Sequence, residues 1–215
     1  MSIWVILVFV LFGAGLAMLG WTSVQSLIQA HLLGSCRRAS LAGLVGRSAA
    51  LRGRVLMREV VRIAHIGDCL WHRETIKARD SDGDWRTQCV TSNLADFSIA
   101  IGGEEVRVAK EPTEVQGAAS KSVVEKAGFV DGFFGDTDEQ VVDEWLPVLE
   151  EITVVGKVQR AGSGWELVPD GKAGLLFSAY DPGHAALRES IKGWLGLAGV
   201  AAGIAALIWL YVTIR

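Results

Sequence analysis

Residues 3–20 (IWVILVFVLFGAGLAMLG) and residues 194–214 (WLGLAGVAAGIAALIWLYVTI) are the two apolar runs that decide the organisation of this chain. Neither contains a charged residue, and each is close in length to the ~20 apolar residues that a helix needs to cross a bilayer. Every charged residue except Arg215 lies between them. The sequence therefore predicts two terminal transmembrane helices around a polar domain, with the lipid bilayer as a partner at both ends.

The first run has the features of an uncleaved membrane anchor. A secretory signal peptide carries basic residues ahead of a shorter apolar core. No Lys or Arg precedes Ile3, and Trp21 follows the run as an aromatic residue at a membrane interface would. Trp194 takes the corresponding place at the start of the second run. We therefore expect both runs to persist in the mature protein.

Basic residues near the two runs predict which side of the membrane holds the middle domain. Arg37 and Arg38 follow the first run, Arg188 and Lys192 precede the second, and only Arg215 lies outside. The positive-inside rule then places the domain in the cytoplasm, although the rule has less force for domains longer than ~60 residues. An odd number of cysteines, three, fits a reducing compartment, where thiols stay free.

Composition excludes one class of partner. The 215 residues carry a net charge of −3, with no clustered basic face, so a nucleic-acid partner is not expected. We expect a first transmembrane helix over 1–21, a helical connector over 22–50, a β-rich domain over 51–190 and a second transmembrane helix over 191–214. A mobile loop is predicted at about 111–136.

Alternating patterns in the middle domain predict an α+β, mainly β fold. Three hairpins are expected around the turns at 80–84, 102–103 and 162–164, where glycine allows a positive φ. Gly53 is a candidate β-bulge, and 39–49 reads as a second small-residue helix. One helix is predicted over 138–146, ended by Pro147, with Asp143 among the carboxylates that stabilise its start. The fold class is a small barrel or sandwich of short antiparallel strands.

Side chains able to bind metal or catalyse a reaction are few. His65, Cys69 and His72, with Cys89 as a fourth ligand, would be the zinc candidates, but Cys69 and His72 point to opposite faces of one strand. The acidic turn at 80–84 departs from the calcium-loop pattern. No nucleophile elbow, phosphate loop or dinucleotide motif is present. We expect no catalytic residue, no metal and no cofactor.

Small residues form a face on each predicted span. The positions are Gly196, Gly199 and Gly203 in the second span, and Gly13, Ala17 and Gly20 in the first. Small residues four apart let helix backbones approach closely. We interpret the two faces as packing against each other within one chain; homo-oligomers that form through the same faces are the alternative.

Four stretches follow one another in the order of a known family. They are LRGRV at 51–55, DCLWHRE at 68–74, FSI through VRV at 97–108, and EWLPVLEEITVVGKV at 144–158. Set between two terminal spans, they resemble the GIDE/MULAN family of membrane-anchored ubiquitin ligases, whose middle part is the beside-a-membrane domain. The resemblance implies a short, prokaryotic-like form in an inner or cell membrane. It also implies a non-cytoplasmic domain, against the charge count.

The family's ligase activity belongs to a zinc-binding RING after the second span, and this sequence has no such run of Cys and His ligands. The activity is therefore not carried over. The leading hypothesis is a non-catalytic two-pass protein whose domain acts as a sensor, scaffold or module that recruits a protein partner still unknown. The alternatives are a membrane effector that oligomerises through the Gly-rich spans, and a component of a ligase-like system whose RING is supplied elsewhere.

Overall fold

The computed structural model describes residues 3–36, 41–80, 82–108, 110–125, 138–171 and 174–214. Two long helices lie at the ends of the chain, α1 (Ile3–Gly34) and α2 (Pro182–Ile214), and both are long and apolar enough to cross a membrane. Between them the described residues form a short 3-10 helix (Leu41–Leu44) and twelve strands. The strands are β1 (Ser48–Met57), β2 (Val61–Ile63), β3 (Gly67–Arg79), β4 (Trp85–Leu94), β5 (Phe97–Ile101), β6 (Glu104–Val108), β7 (Glu114–Gln116), β8 (Ala119–Glu125), β9 (Glu139–Pro147), β10 (Glu151–Ala161), β11 (Gly164–Val168) and β12 (Leu176–Ser178).

Five strands close into a small barrel, in the ring order β1-β5-β6-β11-β10 and back to β1. Neighbours in the ring are antiparallel except β6 and β11, which are parallel. In chain order, β6 is the third barrel strand and β11 is the fifth. The barrel therefore has the Greek-key strand order of the OB fold. Strands β12 and β7 continue the sheet beyond β10. Phe97 and Phe177 meet edge to face in the core, with their ring centroids 5.7 Å apart.

A second sheet is built from two insertions into the barrel. The insertion after β1 supplies β2, β3 and β4, and the insertion after β6 supplies β8 and β9. Strands β2 and β4 pair in succession with one side of β3, β9 pairs with its other side, and β8 forms the outer edge. Trp71 and Leu146, on β3 and β9, are buried in the barrel core and so fix the second sheet to the barrel.

The two helices pack against each other and against the outside of the barrel. A second, smaller core joins Leu33 of α1 and Ala185 of α2 to three residues of β1, β10 and β12: Ala50, Val155 and Leu176. Successive residues of a strand point to opposite faces of the sheet. Leu51 and Val154 point into the barrel, so their neighbours Ala50 and Val155 point outward, toward the helices. The helix ends nearest the domain are therefore part of its packing.

The predicted hairpins and the mainly β fold are confirmed, whereas the predicted helix over 138–146 is wrong. That segment is strand β9, which pairs with β3 on one side and β8 on the other. Its apolar residues Val141, Val142 and Trp145 fit a helical spacing, but pairing on both sides decides its structure. Asp143 therefore stabilises no helix start.

Three smaller predictions are also corrected. The predicted loop at about 111–136 contains β7 and β8; its residues 126–136 lie outside the described part of the chain. Where the sequence predicts a helix over 39–49, the only helix within residues 41–49 is the 3-10 helix Leu41–Leu44, because β1 already begins at Ser48; residues 39–40 lie outside the described part of the chain. Gly53 is not a bulge but pairs in unbroken register with Ile152, and a Cβ there would lie 2.5 Å from the carbonyl oxygen of Ala100.

Candidate functional site at the domain–helix junction

The glycines of α2 form the surface on which α1 packs. A Cβ atom at Gly193 would lie 2.6 Å from Leu27 Cγ, and one at Gly196 would lie 2.0 Å from Ser23 Oγ. Further along, a Cβ at Gly203 would lie 2.5 Å from Leu16 Cδ2. Gly199 has more room, with Leu19 Cδ2 at 3.4 Å. Along this contact the residue numbers increase in α2 while they decrease in α1, so the two helices are antiparallel neighbours.

Of the three small residues of α1 that the sequence indicated, Gly13 and Ala17 lie outside this contact and Gly20 lies at it. Gly20 faces Val200 at 3.8 Å, but Ala17 is exposed and nothing among the described residues lies within 4 Å of a Cβ at Gly13. Ser23 is the α1 residue that packs on Gly196. Its side chain is buried there, and its hydroxyl donates to the carbonyl oxygen of Leu19 at 2.6 Å. A serine that satisfies its own hydroxyl in this way packs as a small residue.

A buried polar network joins strand β7 to helix α2. Gln116 Nε2 donates to Glu189 Oε1 at 2.6 Å, and Lys192 Nζ donates to the same oxygen at 2.7 Å. Lys192 also pairs with Glu114. Ser178 Oγ, on β12, donates to Gln116 Oε1 at 3.2 Å, which fixes the orientation of that amide. Strand β7 is thus bonded directly to the helix, and Ser178 of β12 holds the Gln116 side chain that makes the buried bond.

The charge balance makes this network sensitive to Lys192. Glu189 is fully buried, and its Oε2 has no hydrogen-bond partner within the described residues. Two carboxylates share the one ammonium group of Lys192. A buried carboxylate is costly unless it is paired and hydrogen-bonded, so Lys192 and Gln116 together make the position of Glu189 tolerable.

The residues predicted to lie at the membrane interface occupy different surroundings. Trp21 and Trp194 are exposed on the helices, at 57% and 64%. The guanidinium carbon of Arg188 lies over the ring of Tyr180, 5.8 Å from its centroid. Lys192 belongs to the buried network, and Arg37 and Arg38 lie outside the described residues. Sequence reasoning missed Glu189 and Gln116; a carboxylate three residues before Lys192 was the available signal.

Two histidines share one carboxylate on the second sheet. Asp143 of β9 is buried, with Oδ1 2.9 Å from His72 Nε2 and Oδ2 3.0 Å from His65 Nε2. His72 is buried on β3, and its Nδ1 has no partner among the described residues, whereas His65 lies half exposed in the β2–β3 turn. The strand pairing of β3 with β9 brings these residues together, which a helix at Asp143 would not.

Electrostatics keeps Asp143 ionised. Burial raises the pKa of this carboxyl group, but the hydrogen bonds and positive charge of His72 and His65 outweigh burial and hold it below its usual 3.8. Asp143 is an acceptor for two imidazole N–H groups, which positions both rings. An orienting carboxylate beside an exposed imidazole suits general-base chemistry, but within the described residues His65 has no hydrogen bond with a serine or cysteine nucleophile.

The cysteines considered as zinc ligands lie apart from this cluster. Cys69 is buried and donates to the carbonyl oxygen of Val61 at 3.4 Å, and burial, with the charge of Asp68, raises the pKa of its thiol. Cys89 is exposed on β4. Within the described residues, no group of three or more His, Cys, Asp or Glu side chains could hold a metal ion.

A shallow groove on the barrel is lined by charges that largely neutralise each other. It has a volume of ≈ 280 Å³ and lies around Trp165, beside Arg58, Arg107, Glu105 and Glu166. Arg58 pairs with Glu105 at 3.0 Å, and Arg107 pairs with Asp96 at 3.4 Å. With both cations paired, this groove has no free charge set to select an anionic ligand.

Comparison with known proteins found no matching family model, no matching curated protein and no matching solved structure. The resemblance to the GIDE/MULAN family therefore stays a prediction from the sequence. The junction around Glu189 and the cluster around Asp143 are assigned from their geometry alone.

Proposed function

We propose that this chain is a two-pass membrane protein whose β-rich domain is a non-catalytic scaffold, a module that recruits a partner protein at the bilayer surface. The observation that carries the proposal is the network around Glu189, in which the buried hydrogen bond from Gln116 to Glu189 and the ion pair of Lys192 with Glu114 connect α2 to β7. A domain that is fixed to its membrane helices presents its surfaces at a constant height and orientation. A flexibly tethered domain would not.

The exposure of the helices supports the membrane part of the proposal. Long apolar helices in the core of a soluble protein are mostly buried, but only 6% of the most apolar window of each helix is buried here. Large apolar side chains such as Met18, Leu195 and Trp209 are 68–73% exposed. Contiguous apolar surface of this kind is what lipid covers. Lys192 is the last charged residue before the apolar part of α2, which sets the bilayer boundary near the junction.

The proposed sidedness follows the basic residues. Arg37, Arg38, Arg188 and Lys192 are all on the domain side, which favours a cytoplasmic domain. Treatment of sealed cells with a membrane-impermeant thiol reagent should therefore leave Cys89, the exposed cysteine, unlabelled until the cells are lysed. Labelling in sealed cells would place the domain on the other side.

The scaffold proposal is tested by measuring how rigidly the domain is held. One spin label at Cys89 and a second at an exposed helix position, Leu195→Cys, in full-length protein with Cys36 and Cys69 replaced by Ser, should give a narrow distance distribution in lipid nanodiscs. Replacing both Glu189 and Lys192 with Ala should broaden it. Arg188→Ala is the matched control, because Arg188 is exposed on α2 and lies over the ring of Tyr180, outside the network, so the distance distribution should stay narrow. A broad distribution for the wild type would refute the rigid scaffold.

A second measurement tests the non-catalytic part. Purified full-length protein should have no hydrolytic or transferase activity that depends on Asp143, which orients the half-exposed imidazole of His65. A specific activity that disappears in Asp143→Asn, while the variant remains folded, would overturn the proposal and assign the cluster to catalysis.

The geometry does not favour the two alternatives. The glycine face of α2, which an effector would use for homo-oligomers, is in contact with α1 of the same chain. Nothing among the described residues favours a ligase component. Both alternatives stay predictions from the sequence.

A further inference from the structure

The outer edge of β4 is the longest strand edge that no described residue covers. β4 pairs with β3 alone, and no other backbone hydrogen bond from the described residues reaches Trp85–Leu94. Nearly all of its side chains are exposed, including Val90 at 55%. A free edge presents unpaired N–H and C=O groups that another strand can use.

This edge lacks most of the features that prevent strand pairing. β4 contains no proline and no lysine, and its only charge, Arg86, is paired with Asp80. The single irregularity is a register shift, where Ile76 pairs with Cys89 and Lys77 with Thr87, so that Gln88 is the extra residue. Residues 89–94 lie beyond this bulge and form an unbroken, uncharged stretch: Cys-Val-Thr-Ser-Asn-Leu.

The stretch is complementary to itself. Antiparallel pairing with an identical copy, about a two-fold axis, sets no like charges opposite each other, which would otherwise oppose pairing. On β3, the charged residues that pair with Ser92 and Thr91 of this stretch are Arg73 and Glu74, and they are opposite in sign. The outer strand at the other edge, β8, carries Lys121 and Glu125, so β4 is the better edge for a neutral pair.

We propose that the stretch 89–94 of β4 pairs antiparallel with the same stretch of a second copy about a two-fold axis at Thr91. This sets Thr91 opposite its own copy and Val90 opposite Ser92, and the second sheets of two chains form one continuous sheet. The backbone hydrogen bonds of six residues are too few to hold a dimer in solution, where such interfaces are weak. The inference therefore rests on the membrane anchoring proposed above, because two chains confined to one bilayer meet at a raised effective concentration. The glycine face of α2 takes no part, since α1 occupies it.

The test uses full-length protein in phosphatidylcholine vesicles, with donor and acceptor fluorophores on separate copies. Wild-type copies should show energy transfer that unlabelled protein competes away. Val90→Lys should weaken association by about tenfold or more, because each copy then brings a charge to the pairing edge. Val45→Lys is the matched control, an exposed valine away from β4 whose change should leave the transfer intact.

A backbone variant tests the same edge without a charge. Of Thr91→Pro and Ser92→Pro, one removes an N–H that faces β3 and the other an N–H that faces outward, because successive residues of a strand point to opposite sides. The variant that keeps the native circular dichroism spectrum should lose energy transfer.

Three results would overturn the pairing. They are a wild type that shows no transfer although it co-sediments with the vesicles, transfer that survives Val90→Lys, and a monomer whose outer β4 amides exchange slowly with solvent. The last would mean that a segment of the same chain covers the edge. Failure to co-sediment with vesicles would instead refute the proposed membrane anchoring, so the two proposals fail in different ways.

Discussion

Gln116 and Glu189 are 73 residues apart in the chain, and the amide of the first donates to the buried carboxylate of the second at 2.6 Å. Gln116 ends β7, and Glu189 lies two turns into α2, so one hydrogen bond connects the edge of the barrel sheet to a helix. Because the carboxylate is fully buried, this contact cannot be exchanged for water without moving the helix.

We predict that Lys192→Met destabilises the protein more than the double variant Lys192→Met with Glu189→Gln. The single change leaves the buried Glu189 carboxylate without its cation, whereas the double change removes the charge as well. The single variant should lose about 2–3 kcal/mol, a value reduced because Lys192 is partly exposed. Denaturant unfolding of detergent-solubilised protein, analysed as a double-mutant cycle, measures the coupling. Additive effects of the two changes would contradict the network.

We predict that Gly193→Ala separates the two helices and Gly199→Ala does not. The new Cβ at 193 would meet Leu27 Cγ at 2.6 Å and the backbone oxygen of Ser23 at 3.0 Å, and the backbone cannot move aside cheaply. At 199 the nearest atom is a leucine methyl at 3.4 Å. Overpacking of this kind costs about 1–3 kcal/mol. A disulfide formed between cysteines placed on facing sites of α1 and α2 should form more slowly in Gly193→Ala alone.

The sequence was informative wherever a pattern was local. Hairpin turns such as 80–84 and 162–164 are set by glycine at positive φ, as at Gly83 and Gly162, and the apolar runs alone predict the terminal helices. The barrel closure was not readable, because it depends on β1 pairing with β10, about a hundred residues later. Contacts at that separation leave no periodic trace in the chain.

The candidate sites were only partly predictable for the same reason. The sequence marks His65 and His72 as candidate ligands, but it predicts a helix at Asp143, the residue that contacts both. Its segment carries apolar residues at a spacing that suits a helix or a buried strand, and only pairing with β3 and β8 distinguishes the two. Gln116 was hidden likewise, in a segment rich in glycine and charge that reads as a loop.

We predict that one thiol reacts quickly in the native, detergent-solubilised protein. Cys89 is exposed on β4, whereas Cys69 is buried and burial raises the pKa of its thiol. Burial likewise raises the pKa of the half-buried Cys36. Because the thiolate is the reactive form, Ellman's reagent at pH 8 should show a fast phase that Cys89→Ser removes, with Cys69 appearing only in denaturant. A fast phase that survives Cys89→Ser would contradict the placement of β4.

The final prediction concerns the stability that Asp143 contributes as the pH changes. Its pKa is below 3.8 in the folded protein, so the folded state favours the ionised carboxylate. In the unfolded chain this carboxyl group has a pKa near 3.8. The stability that Asp143 contributes is therefore complete at pH values above 3.8 and is lost as the pH falls through the lower pKa of the folded protein.

Asp143→Asn should therefore lower the free energy of unfolding by about 2–4 kcal/mol at pH 6, since one charge-assisted bond is buried and the other reaches the half-exposed His65. The difference between the variant and the wild type should narrow below pH 3.8. Asp68→Asn is the control: its ion pair with Arg62 is exposed, and such pairs contribute about 0–1 kcal/mol. Denaturant titrations from pH 3 to 7 measure the free energy of unfolding of both variants. An equal loss of stability in the two variants would show that the two histidines do not depend on this carboxylate. A loss in Asp143→Asn that grows in acid would show the same.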